Sequence, residues 1–245
     1  MSVKPLATPR AMNEAESRVI AAHLNLLNMS IYSSTLLSVV NFGLHHASRD
    51  NTFFTDPLRR IAPHLDDASL AEMSKLTREL TTEQAIQGAQ AACLIFIHAG
   101  CESALTNVAK VAATEPTRWH EIITKKQLTV GDLIGTASEE IIRQKIDEHI
   151  VEFDRDSLIR KTRTLFRLYQ PCTSALPGYI FSEERLQRID ALRHRCAHGG
   201  CGVADFSTFD DDLEYLRQTG EYFVRLAAVA FKIDLHEPHF KPTAA

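Results

Sequence analysis

Apolar residues recur every three or four positions along most of the chain, strand-like alternation is scarce, and turn residues cluster in a few short breaks. That pattern predicts an all-α protein of six to eight helices. Asn13 is placed to cap a long first helix from Glu14 to His46, with Glu16 as its capping-box partner, and RDNTFFTDP ends it. Two short helices, around 57 to 64 and 68 to 80, are punctuated by Pro57, Pro63 and the pair Asp66 and Asp67. Thr81 with Gln84 forms a second capping box, which opens the longest predicted helix, and TEP stops that helix at Pro116. Between Ala91 and Ala99 it is apolar around nearly its whole circumference, as in a helix packed on several sides. A looser connector with Gly131 and Gly135 leads to helices at about 138 to 152 and 156 to 170, the second closed by Pro171, and PCTSALPGY reads as a loop. Ser182 is the N-cap of EERLQRIDALRHRCAH, with Gly199 and Gly200 as stop signals. Ser207 and Asp210 box the start of a last helix, about 208 to 233. The natural division is an N-terminal helical extension, residues 1 to 80, a helical bundle, 81 to 235, and a polar tail, 236 to 245.

Composition narrows the classes. With 245 residues and 44% apolar content the chain can bury one ample core or two small ones. A net charge of -4 excludes a globally basic nucleic-acid coat. The five cysteines form no C-x-x-C pair and are odd in number, which argues against a disulfide framework and for a reducing, cytoplasmic compartment. The N-terminus lacks the apolar core of a signal peptide, and the richest apolar stretch, LNLLNMSIYSSTLLSVVNFGL, is broken by Asn and Ser, so no membrane span is expected.

Chemistry concentrates in LRHRCAHGG, residues 192 to 200. On a helical wheel Ile189, Leu192 and Cys196 make the buried stripe, and His194 and His198 lie on the opposite face with Arg195 near them. Arg193 falls about 140° from His198, at the edge of the apolar stripe. One reading is a helix end enriched in cations that complement its dipole. Another is a metal site from His194, Cys196, His198 and Cys201, which Cys196 speaks against by pointing to the core, so no metal is expected. A third is a reactive site. On the helix at 156 to 170, Arg160, Arg163 and Arg167 form a stripe opposite Leu158, Thr162, Leu165 and Tyr169, either a solvated face or a track for a phosphate backbone. Residues 151 to 200 carry a net +3 against -7 for the remainder, so the motif region is locally basic. Glu102, within the apolar run HAGCESAL, needs a partner, and Arg193 is a candidate for it, in a structural or a positioning role. His45 and His46 read as helix C-terminal histidines, and Cys93 and Cys101 as core residues.

The segment IDALRHRCAHGG resembles the signature of the HEPN superfamily, in which an arginine, a polar residue, three further residues and a histidine end a penultimate helix; here these are Arg193, His194 and His198. Arginine followed after four to six residues by histidine also occurs at Arg18 with His23, Arg59 with His64, Arg143 with His149 and Arg188 with His194, so the surroundings and not the spacing carry the resemblance. It covers about 155 residues and leaves the first 80 unaccounted for. It implies an all-helical HEPN-type bundle and a metal-independent endoribonuclease, without cofactor, that acts as a homodimer with a composite site. His198 would exchange protons with the ribose 2′-hydroxyl or the 5′-oxygen, since an imidazole ordinarily titrates near about 6.5. Arg193 would hold the phosphate, and His194 would orient it or be the second acid-base group. Arg195, Arg160, Arg163 and Arg167 would bind RNA, with Glu102 in support. The implied products are a 2′,3′-cyclic phosphate and a 5′-hydroxyl end, and the implied setting is a toxin or antiviral defence system with an antitoxin or sensor protein as partner. Some HEPN toxins carry a modifiable tyrosine two residues after the histidine; Gly200 stands there, so that control is not expected. The competing reading is a non-catalytic HEPN module that dimerises or binds a nucleotide, RNA or protein, with residues 1 to 80 facing the partner.

Overall fold

The computed structural model describes residues 13–49, 52–123, 138–176, 179–199 and 204–235. The protein is all-α: among the described residues there is no strand, and seven helices have ten residues or more. They are α1 (Glu14–Arg49), α2 (Thr52–Ile61), α3 (Asp67–Ala112), α4 (Ser138–Arg155), α5 (Leu158–Leu168), α6 (Glu183–Ala197) and α7 (Phe209–Phe231). Short helical turns occupy Pro116–Trp119, His120–Ile123 and Gln170–Ala175. The expected connector from 124 to 137 and the tail from 236 lie outside the described residues.

The capping chemistry decides most boundaries. Asn13 Oδ1 accepts from the Glu16 amide at 2.8 Å, the expected cap of α1. That helix continues to Arg49, and RDNTFFTDP does not end in a loop but supplies most of α2, with Pro57 inside it. Asp66 is the cap of α3: its Oδ1 accepts from the Ser69 amide at 2.7 Å, and that bond holds its carboxyl below the usual range. The box expected at Thr81 and Gln84 is not used, because α3 runs unbroken through both. Once a helix is propagating, its amides already have partners four residues back, and no proline or glycine near Thr81 interrupts it. The division expected near residue 80 therefore falls in mid-helix. At the other end α7 starts at Phe209 and not through a Ser207–Asp210 box; the Ser207 amide donates instead to Asp205 Oδ1.

The chain forms two compact bodies. Of the described residues, the first takes those up to Asn25, those within Glu102–Ile180 and those from Gly220 on; the second takes those within Leu26–Cys101 and Phe181–Thr219. In the first body Leu105, Val108, Trp119, Leu165, Tyr169 and Phe223 are buried, and Tyr169 donates its hydroxyl to the Val108 carbonyl at 2.9 Å. In the second body Cys93, Leu94, Leu186, Ile189 and Leu216 are buried. The Cys93 thiol donates to the Ser33 carbonyl, tying α3 to α1. Gly100 lets the two helices approach there, since a Cβ at that position would lie 2.8 Å from Met29 Cγ. The 91–99 segment is packed on one side and open on the other: Ala91, Cys93, Leu94, Ile97 and His98 are buried, whereas Phe96 and Ala99 are exposed. By length and mean hydropathy (1.3 over its richest window) α3 is the one described helix able to cross a membrane, and 61% of that window is buried in the protein.

Burial raises the Tyr169 phenol far above its usual range. The native state therefore keeps the proton at a pH where the unfolded chain loses it. The stability this gives is fully present below about pH 10 and is lost as pH rises further, with a slope of about 1.4 kcal/mol per pH unit for one such group. Melting temperatures recorded between neutral pH and pH 11 should fall more steeply for the wild type than for Tyr169→Phe. Parallel curves would show that Tyr169 does not ionise on unfolding.

Candidate functional site

Helix α6 is held rigidly at its start. Ser182 Oγ accepts from the Arg185 amide at 3.2 Å, the expected N-cap, and the Ser182 amide donates to the Tyr215 hydroxyl of α7 at 2.7 Å. Leu186, Ile189, Leu192 and Cys196 are buried, which confirms the apolar stripe read from the wheel. Asp212 of α7, only 1% exposed, receives Arg185 Nε at 3.2 Å together with Arg188 and the Thr208 hydroxyl. A buried carboxylate needs such partners, so these two arginines are occupied by the fold. The helix ends as expected: the His198 amide bonds back to the carbonyls of His194 and Arg195, and Gly199 takes a φ of +81°, which favours glycine. Gly200 and Cys201 lie outside the described residues.

This construction presents the motif side chains on a fixed helix end. His194 and His198 are both exposed, with ring centroids 4.4 Å apart. Arg193 is half-buried and Arg195 exposed. Among the described residues the two imidazole rings and the Arg193 guanidinium have no hydrogen bond or ion pair within the protein. The charges of Arg188 and Arg195 act on Asp205, although the Ser207 amide is the main reason its carboxyl lies below the usual range. The helix thus brings His194 and His198 together, while the angular offset of about 140° keeps Arg193 and His198 of the same helix on different faces.

One pair was not apparent in the sequence. His98 of α3, almost fully buried, places Nε2 2.6 Å from Asp190 Oδ1 of α6. Asp190 lies one turn before Arg193 and His194 on the same side of the helix, so this bond fixes the rotation of α6 and hence the direction in which the motif faces. A lone histidine in an apolar helix and an aspartate in RIDALR give no sign of each other 92 residues apart.

The other expected residues lie elsewhere. Arg160, Arg163 and Arg167 are exposed on α5 in the first body, with Leu158, Thr162, Leu165 and Tyr169 buried opposite, as the wheel requires. Arg160 Nη1 is 3.4 Å from Asp156 Oδ1. Glu102, half-buried in α3, has its Oε1 3.8 Å from Nζ of Lys161, a lysine 2% exposed on the inner side of α5. His46 is in the last turn of α1 with Arg49, beside His45. Cys93, Cys101 and Cys196 are buried and in no disulfide, and burial pushes the Cys93 thiol up. Among the described residues no group of three or more His, Cys, Asp or Glu is arranged to hold a metal ion.

Comparison with protein-family models, curated proteins and solved structures finds no match to this chain.

Proposed function

We propose that the end of α6 is the active site of a metal-independent, HEPN-type endoribonuclease that acts on RNA in the cytoplasm as a homodimer, in a toxin or antiviral defence setting with an antitoxin or sensor protein as partner. The observation that carries this reading is the pair of exposed imidazoles of His194 and His198, 4.4 Å apart and without a hydrogen bond to any other described residue. Two histidines so placed can divide acid and base work at neutral pH. One takes the proton of a ribose 2′-hydroxyl as that oxygen attacks the adjacent phosphorus. The P–O5′ bond breaks, and the other, as imidazolium, gives its proton to the departing 5′-oxygen. The products are a 2′,3′-cyclic phosphate and a 5′-hydroxyl end. Arg193, without a described internal partner, is suited to neutralise charge that develops on the phosphate, and Arg195 to bind a neighbouring one. DNA lacks the attacking hydroxyl and would not be cut.

The test is incubation of the wild type and His198→Ala with total RNA in EDTA, followed by mapping of fragment ends. The reading expects cleavage by the wild type alone and cyclic phosphate ends. No cleavage, equal cleavage by the variant, or 3′-hydroxyl ends would each remove it.

A further inference from the structure

His194 and His198 stand four residues apart at the end of α6, and among the described residues no other two histidines are three or four apart. That is the spacing at which two imidazoles on one helix can reach a single ion. Both rings are exposed, with centroids 4.4 Å apart and planes inclined at 59°. An ion held by both at about 2.0 Å would sit about 3.2 Å from each ring centre, which sets the centres about 4.5 Å apart for a right angle at the metal and about 5.2 Å for a tetrahedral one. Chelation therefore changes the spacing of the rings by less than about 1 Å, through side-chain rotations that no hydrogen bond to a described residue opposes. The backbone beneath them is fixed by buried Leu192 and Cys196 and by the amide of His198, which bonds back into the last turn. The negative end of the helix dipole favours a cation at this place. Arg195, about 60° from His198 on the wheel, opposes one, and its charge also acts on the Asp205 carboxylate.

We infer that the pair His194 and His198 is a binding site for a divalent late transition ion such as zinc, with water completing the coordination. Ligand chemistry sets the class of ion: imidazole nitrogens suit zinc, nickel and copper, whereas magnesium and calcium take oxygen ligands. The four-ligand site suggested by LRHRCAHGG fails because Cys196 is buried. A chelate of two imidazoles needs neither cysteine. It has fewer protein ligands than a catalytic zinc centre, so the ion is exchangeable and acts as a regulator, not as a cofactor. The regulatory half rests on the nuclease reading. Each imidazole gives the metal the lone pair that would accept a proton, so neither ring can take the 2′-hydroxyl proton or carry one to the 5′-oxygen. Bound zinc switches cleavage off, and a chelator restores it.

Calorimetric titration of the full, metal-stripped chain with zinc chloride tests the site without reference to RNA. His194→Ala and His198→Ala alter exposed side chains and should keep the helical circular dichroism and melting temperature. Each should weaken the zinc site by about tenfold or more, because the second ligand of a chelate binds at high effective concentration. Magnesium chloride at the same concentration should not compete, and the imidazole Cε1–H resonances of His194 and His198 should shift together on adding zinc. Equal zinc affinity in the wild type and either variant overturns the inference, and so does competition by magnesium, which would mark a merely electrostatic site. With RNA, zinc should inhibit the wild type with a midpoint near the calorimetric dissociation constant, and EDTA should reverse it. Full cleavage at saturating zinc overturns the regulatory half. A wild type inactive in EDTA removes the nuclease reading instead, while the calorimetry decides the zinc site independently.

Discussion

His198→Ala should lower the rate of RNA cleavage by about 10² to 10⁴-fold, the range for losing one general acid or base, with little effect on the melting temperature. The stability half of that expectation follows from place: His198 is exposed and caps α6 through its backbone amide, which alanine retains. His194→Ala should cost a similar factor if it is the second proton-transfer group. A loss confined to substrate affinity, with the rate constant kept, would make it a phosphate-orienting residue instead. Arg193→Ala supplies the sharper test, since a single helix keeps Arg193 and His198 on different faces. If each active site takes Arg193 from one copy and His198 from the other, mixing Arg193→Ala with His198→Ala protein rebuilds one intact site in every hybrid dimer. With random exchange half the dimers are hybrids, so about a quarter of wild-type activity should return. A mixture as inactive as its components would show that both residues act in cis, and an intact but inactive wild type would assign this helix end to binding.

The helices themselves were readable because their signals are local. Asn13, Ser182 and Gly199 act within three or four residues of where they stand: the first two cap with their side chains, and Gly199 takes its positive φ because it has none. Thr81 with Gln84 misled because a capping box is only a competitor for amides: where the preceding turn is helical, no amide is free to take the offer. The motif helix was legible to the extent that its wheel was, which includes the burial of Cys196 and the adjacency of His194 and His198. What joins α6 to other elements was not. The contact between His98 and Asp190, and the demand of Asp212 for Arg185 and Arg188, depend on chain segments that meet only in three dimensions. Within KTRTLFRL, Lys161 looks like one more member of a basic face; its angular position, not its charge, puts it inside.

That lysine sets the second large effect. Lys161 is 2% exposed, its ammonium lies 3.8 Å from Glu102 Oε1, and the ring of Phe153 is 5.9 Å away. A buried cation is tolerated only while something compensates its lost hydration. Glu102→Ala removes that compensation and leaves the buried ammonium beside the Phe153 ring, at a cost of about 2 to 3 kcal/mol, toward the lower end for a buried pair because Glu102 is itself 29% exposed. For a chain of this length that is a fall in melting temperature of about 4 to 12 °C. Lys161→Met removes the charge but keeps the long stem that fills the site, and should change stability by no more than about 1 kcal/mol. Adding Lys161→Met to Glu102→Ala should then recover most of the loss, which separates an uncompensated charge from a mere cavity. If Glu102→Ala leaves the melting temperature unchanged while RNA cleavage falls, the carboxylate is a positioning group for the reaction and not the counter-ion that the buried lysine requires.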